Sequence, residues 1–326
     1  TADWGSVLNG TEDNSNGVIQ VTTTGAEDGQ TVSLLLNGQT YTGVVSGNNA
    51  SITIPASDLQ GLTDGSSYTL TANVSDAAGN AATANTSTTF SVDTTAPTLA
   101  LTVGAAGALV NSSEDTEGTV VSVASNGAWS VTLTGQSGSV VKTGTSTDTS
   151  ITLTSLEVTT LGQGAVTVSG VATDAAGNST TVAGVNLFSI DTVAPLASIV
   201  IDSVTTDNVV NIAEGDSASI AITGTVSGDV AVGDIVTVTV NGSDFTGSVA
   251  QSGNSKVFSI NVSGANLEAD TGLTVAASVT TTDAAGNSTT ATATKAYTLD
   301  QSAPTITAVT ADWGSVLNGT EDNSNG

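Results

Sequence analysis

The sequence contains no histidine, cysteine, methionine or arginine, and its only basic side chains are Lys142, Lys256 and Lys295. Each absence removes a class of chemistry. Without cysteine there is no disulfide and no thiolate metal site, so neither can staple the fold. Without histidine a serine nucleophile has no customary base, which leaves only carboxylate-pair chemistry of the glycosidase kind. Such a pair belongs in one cleft, whereas the acids here recur along the whole chain; no enzyme and no small-molecule substrate are expected. Thirty Asp and Glu against three Lys give a net charge of −27. Phosphate contacts need Lys and Arg, so nucleic acid and anionic membrane surfaces are excluded as partners. No apolar run approaches the roughly twenty residues of a membrane span, so no membrane insertion is expected.

What is present is Thr, Ser, Gly, Asn and Val, with aromatics at 3%. The pattern is period-2 alternation bounded by Gly, Asn, Asp and Ser, as in half-buried antiparallel strands. "SYTLTANVSD" sets Tyr68, Leu70, Ala72 and Val74 on one face; "DIVTVTVNG" sets Ile235 apart from Val236, Val238 and Val240. Phe90, Phe188 and Tyr297 each stand three residues before a recurring Asp and read as core residues.

The chain repeats itself. Thr1 to Gly17, "TADWGSVLNGTEDNSNG", returns unchanged at Thr310 to Gly326, an offset of 309 residues. Inside that period three landmarks recur in fixed order about 100 residues apart. "DAAGN" stands at Asp76, Asp174 and Asp283; a junction Asp follows seventeen residues later at Asp93, Asp191 and Asp300, just before Pro97, Pro195 and Pro304. Asn-x-x-Glu stands at Asn9/Glu12, Asn111/Glu114 and Asn211/Glu214. Strand-rich segments of this length with a turn signal every 8 to 12 residues predict immunoglobulin-like β-sandwiches. The expected fold is therefore all-β, with tandem sandwiches stacked end to end in a linear rod. The expected domains are 1–94 (lacking its first few residues), 95–192 and 193–301, with 302–326 beginning a fourth.

If seven antiparallel strands A to G alternate in direction, the A–B turn lies beside the chain's exit from a domain and the F–G turn beside its entrance. Asn-x-x-Glu reads as the A–B turn and "DAAGN" as the F–G turn. Three acidic elements then meet at each junction: Glu12, Asp93 and Asp174 at the first, Glu114, Asp191 and Asp283 at the second. Glu214 and Asp300 await the F–G turn of a further domain, while Asp76 awaits a preceding one. Converging carboxylates repel unless a cation joins them. Ca²⁺ accepts six to eight oxygen ligands in flexible geometry, whereas Mg²⁺ prefers a tight octahedron and Zn²⁺ prefers nitrogen or sulfur. Ca²⁺ is thus the expected cofactor, with Asp13, Asp115 and Asp216 as additional candidate ligands. Asn80, Asn178 and Asn287 are further candidate ligands, but read chiefly as stabilisers of their own turns. Glu27, Asp28, Asp64, Asp229 and Asp234 read as solvated loop acids.

The stretch "NIAEGDSASIAITGTVSGDVAVGDIVTVTVNGSDFTGSV", with "FSINVSGANL", "VTTTDAAGN" and "YTLDQSAP", resembles the bacterial immunoglobulin-like repeats in the extender regions of giant calcium-dependent RTX-type adhesins. The likeness covers all three repeats. It implies an extracellular location at the bacterial cell surface, and calcium at linker Asp93, Asp191 and Asp300 and at Asp76, Asp174 and Asp283. The implied role is a structural extender that projects a distal binding module, with neighbouring repeats of the same chain as partners. Two alternatives remain open from sequence: a repeat unit of a surface filament or matrix fibre built from identical chains, and a carbohydrate- or protein-binding module.

Overall fold

The computed structural model describes residues 1–82, 86–112 and 118–310, so Glu114 and Asp115 lie outside the described residues. The chain separates into two compact units, Thr1–Thr192 and the residues from Val193 on. The first unit holds two hydrophobic cores and the second holds one.

Alternation builds each core. In Thr31–Leu36 the buried positions are Val32, Leu34 and Leu36, and in the facing Asn49–Ile54 they are Ala50, Ile52 and Ile54. In the second core Trp129, Val131 and Leu133 point inward from Ala128–Thr134. In the third, Val236, Val238 and Val240 are buried while Ile235 faces solvent. Each fully buried aliphatic side chain contributes roughly 1.5–3 kcal/mol. Phe90, Phe188 and Tyr297 are all core residues; Phe90 meets Trp4 edge-on at 5.3 Å, and the Tyr297 hydroxyl donates to Leu267 O at 2.6 Å.

Each core lies between two sheets. In the first, Val7–Asn9, Thr86–Asp93, Ser67–Val74, Thr31–Leu36 and Gln39–Val44 form one sheet in that order, opposite Gly17–Thr22 paired with Asn49–Ile54. In the second, Ser139–Gly144, Ala128–Thr134, Gly164–Thr173, Ser179–Ile190 and Leu109–Val110 face Ser150–Thr152, Thr119–Ser125 and Leu99–Val103. In the third, Ser243–Ser248, Ile235–Val240, Thr274–Thr282 and Ser288–Ala296 face Ala197–Ile201, Ile220–Gly228, Ser255–Val262 and Ala250–Ser252. These are immunoglobulin-like sandwiches. Asn37-Gly38 and Asn241-Gly242, with φ of +45°, +81°, +48° and +69°, make tight hairpins, since Asn and Gly adopt the left-handed backbone conformation of these turns cheaply.

One feature departs from an all-antiparallel A-to-G scheme. The first strand of each sandwich breaks at turn residues and its second part pairs in parallel with the last strand, within the opposite five-stranded sheet in the first two sandwiches and as a separate two-stranded sheet in the third. Val7–Asn9 runs beside Ser91–Asp93 and Val209–Asn211 beside Thr298–Asp300. In the first two sandwiches the second part of the strand thereby covers an edge of the five-stranded sheet. It also sets the register that matters for the junctions: Asn9 lies opposite Asp93, and Asn211 opposite Asp300.

Candidate functional site at the repeat junction

Both acidic turn motifs are built by their own residues. In Asn-x-x-Glu, the Asn9 side-chain oxygen accepts from the Glu12 amide at 3.0 Å while Glu12 Oε2 accepts from the Asn9 amide at 3.0 Å. Asn211 and Glu214 repeat this exchange at 3.1 and 3.0 Å. This is a capping box, in which two otherwise orphaned amides at a helical turn are satisfied reciprocally. Part of each Glu carboxylate is therefore committed to its own turn, a role the spacing disclosed but the sequence reading did not assign.

In "DAAGN" the Asp carboxylate folds the turn over its own Asn. Asp76 accepts from the Asn80 backbone and side-chain amides, both at 2.8 Å. Asp174 does the same with Asn178 at 2.9 and 2.9 Å, and Asp283 with Asn287 at 2.9 and 3.0 Å. Gly79, Gly177 and Gly286 hold φ near +90° in the middle of the turn, where a side chain would be strained. Donation from Asn80 holds the Asp76 carboxyl below its usual range, and donation from Asn287 does the same for Asp283.

At the first junction the turn of Asn9 to Glu12, the linker at Asp93 and the turn of Asp174 to Asn178 come together. Asn178 is the centre of the contact. Its Oδ1 accepts from the Gly10 amide at 2.8 Å, and its Nδ2 donates to the Asp93 carbonyl at 2.8 Å as well as to Asp174. Asn9 Nδ2 donates to the Ala176 carbonyl at 2.9 Å. Asn178 is 5% exposed, with every hydrogen-bonding atom of its amide engaged. What touches across this junction is thus amide and carbonyl; among the described residues no three acidic side chains gather into a metal-sized group.

The linker has a second restraint. Asp64 accepts from the Thr94 amide at 2.7 Å and from the Thr95 hydroxyl, and these bonds, the hydroxyl first, lower its pKa. Asp64 is exposed, as expected of a loop acid, yet it also holds the chain just past Asp93. Gln163 does the equivalent work on Thr192, donating to its hydroxyl at 2.8 Å and accepting from its amide at 3.0 Å. Of the remaining candidates, Asp191 donates its amide to Val110 O at 2.9 Å, Asp300 sits in register with Asn211, and Asp76 stays in its own turn. Glu114 falls outside the described residues. The direct bonds of Asn178 across the junction were not legible in the sequence, which reads it chiefly as a stabiliser of its own turn: its motif is the same as that of Asn80, so no local signal separates them.

The bacterial Ig-like domain (group 3) family profile matches residues 55–154. Among solved structures the chain is similar to a Ca²⁺-stabilized adhesin that helps an Antarctic bacterium reach out and bind ice. That similarity covers 91% of this chain and 72% of the other, at 31% identity and a TM-score of 0.60. A 1.5-MDa bacterial ice-binding adhesin, studied for its retention at the host cell surface, is similar over 91% of this chain and 95% of its own, at 27% identity and a TM-score of 0.53. No curated protein matches the chain.

Proposed function

Because this chain belongs to the bacterial immunoglobulin-like tandem repeats of RTX-type adhesin extender regions, we propose that it is a structural spacer segment outside the cell whose junctions are stiffened by Ca²⁺. Three sandwiches, 1–94, 95–192 and 193–301, would carry a binding module away from the surface. The observation that carries this reading is the meeting of the Asn9 turn, the Asp93 linker and the Asp174 turn around Asn178.

The donor set suits a hard cation, because every candidate ligand is an oxygen. Glu12, Asp93 and Asp174 would hold the ion at the first junction and Glu114, Asp191 and Asp283 at the second. Glu214 and Asp300 would hold an ion together with the F–G turn of a further domain, and Asp76 would do so with a preceding domain. Bound there, the ion supplies positive charge that offsets carboxylate repulsion. Asn178 and Asn9 orient the two turns, and Asp64 limits the path of the linker. At free calcium about ten times the dissociation constant, each site adds roughly 1.4 kcal/mol to the state that holds it, enough to favour a straight joint over a bent one.

Small-angle scattering of the full chain, first in calcium and then in excess chelator, tests the reading. Chelation should increase flexibility and shorten the mean dimension. Identical profiles in the two conditions would remove calcium from the account and leave the spacer role to the protein's own contacts.

A further inference from the structure

Among the described residues Asn-Gly pairs stand at Asn9, Asn16, Asn37, Asn126 and Asn241. Such a pair can cyclise on itself, because glycine has no Cβ to keep its backbone nitrogen away from the preceding carboxamide carbon. What holds the two groups decides whether it does. Asn37 and Asn241 are exposed at the tips of hairpins whose strands pair within one sandwich. Asn16 accepts from the Ala56 amide at 3.0 Å and Asn126 from the Thr98 amide at 2.7 Å, each inside its own sandwich. Asn9-Gly10 differs, since it is held from the neighbouring sandwich.

Gly10 N, the atom that would attack, donates to Asn178 Oδ1 at 2.8 Å. Asn9 Nδ2, the group that would leave, donates to the Ala176 carbonyl at 2.9 Å. The carboxamide oxygen of Asn9 is fixed from its own turn, accepting from the Thr11 and Glu12 amides at 2.9 and 3.0 Å. Both residues are half-buried, and a Cβ on Gly10 would lie 3.1 Å from Thr94 O, so the turn has little room to rotate. Attack needs Asn9 Cγ to swing toward Gly10 N, and the closed joint prevents it. The bonds to Ala176 and Asn178 are lost whenever the joint opens.

We propose that Asn9-Gly10 is a self-modification site that the closed joint suppresses, and that its reaction prevents the joint from closing again. Gly10 N, giving its proton to water, attacks Asn9 Cγ. The new C–N bond closes a cyclic imide as the Cγ–Nδ2 bond breaks, and the NH₂ group takes up a proton and leaves as ammonia. Water then opens the ring at either carbonyl, so Asn9 becomes aspartate or isoaspartate. Neither product can donate to the Ala176 carbonyl; each sets a carboxylate against that oxygen, in a chain whose net charge is already −27. Isoaspartate also adds a methylene to the main chain where Asn9 lies in register with Asp93. The rate of reaction follows the fraction of time the joint is open, as for any chemistry confined to a locally opened state. A joint held open by pulling would thus keep a covalent record of it. No metal takes part, so the test is independent of the calcium reading.

Ageing the full chain in mildly alkaline buffer with excess chelator, followed by peptide mapping, gives the deamidation rate at each Asn-Gly pair. Asn178→Ala should speed the reaction at Asn9 at least tenfold and leave Asn37 and Asn241, the internal references, unchanged. Asn80→Ala, the same change in a turn without that contact, should alter none of the three. If the alanine variant does not fold, which Asn37 and Asn241 rising together with Asn9 would reveal, Asn178→Gln takes its place, since it keeps the amide but moves it by a methylene. Asn9→Asp, which stands for the product, should make the Gly10 amide exchange with solvent at least tenfold faster. An Asn9 rate that is the same in the parent and in the folded Asn178 variant would overturn the proposal, and so would a Gly10 amide that stays protected in Asn9→Asp.

Discussion

Asp76–Asn80 and Asp174–Asn178 are the same five residues, folded by the same hydrogen bonds, yet Asn80 is exposed and Asn178 is 5% exposed. The difference is the first sandwich, whose Gly10 amide and Asp93 carbonyl close over Asn178. The turn is therefore a self-sufficient local structure that presents an amide, and a neighbouring domain converts that amide into a joint. A motif whose folding does not depend on its partner can be repeated along a chain and docked wherever a partner arrives.

Removing the amide should separate the two sites most sharply. Asn178→Ala leaves the Gly10 N–H and the Asp93 C=O without their partner in a part-buried place, a loss of about 2 kcal/mol; Asn80→Ala should cost under about 1 kcal/mol, since water takes its place. Hydrogen exchange reads this directly: Gly10 should exchange at least tenfold faster in the first variant and unchanged in the second. Equal behaviour would mean that Asn178 serves only its own turn.

A smaller effect is expected from crowding the contact. A Cβ on Gly10 would lie 3.1 Å from Thr94 O and 3.3 Å from Asn178 Oδ1, closer than most real contacts. Gly10→Ala should therefore cost about 1 kcal/mol at this joint. Exchange at Asn178 should rise while exchange at Asn80 stays as before.

The smallest effect compares the two linkers in acid. The Asp64 carboxyl is depressed in the folded state by the Thr95 hydroxyl and Thr94 amide, so its contribution is complete above the ordinary value of 3.8 and is lost as pH falls through the folded value. Gln163 holds Thr192 with a group that does not titrate. Lowering the pH through and below 3.8 should expose the Thr94 amide to exchange and leave Thr192 protected. Asp64→Gln should abolish the contrast; if Thr94 still responds to acid in that variant, another group controls the linker.

Much of this was legible from residues alone. Alternation in "SYTLTANVSD" and "DIVTVTVNG" identified the inward faces, and Phe90, Phe188 and Tyr297 are the core residues their placement suggested. The meeting of the Asn9 turn with the Asp174 turn was accessible through topology. The parallel pairing of Val7–Asn9 with the last strand was not, because a three-residue strand carries no pattern that states which edge it will join. Nor was the committed state of Glu12, whose capping bond to Asn9 was read only as a carboxylate near a junction.

The amino-acid sequence by itself determined the alternating strands, the "DAAGN" turn and the capping pair, because each rests on neighbours at most four residues apart, as in Asp174 and Asn178. That Asn178 is buried, and which amide and carbonyl it holds, were decided only by the tertiary structure. Those outcomes depend on partners 85 and 168 residues away. A local motif presents donors and acceptors; only the packed chain determines what is close enough to use them.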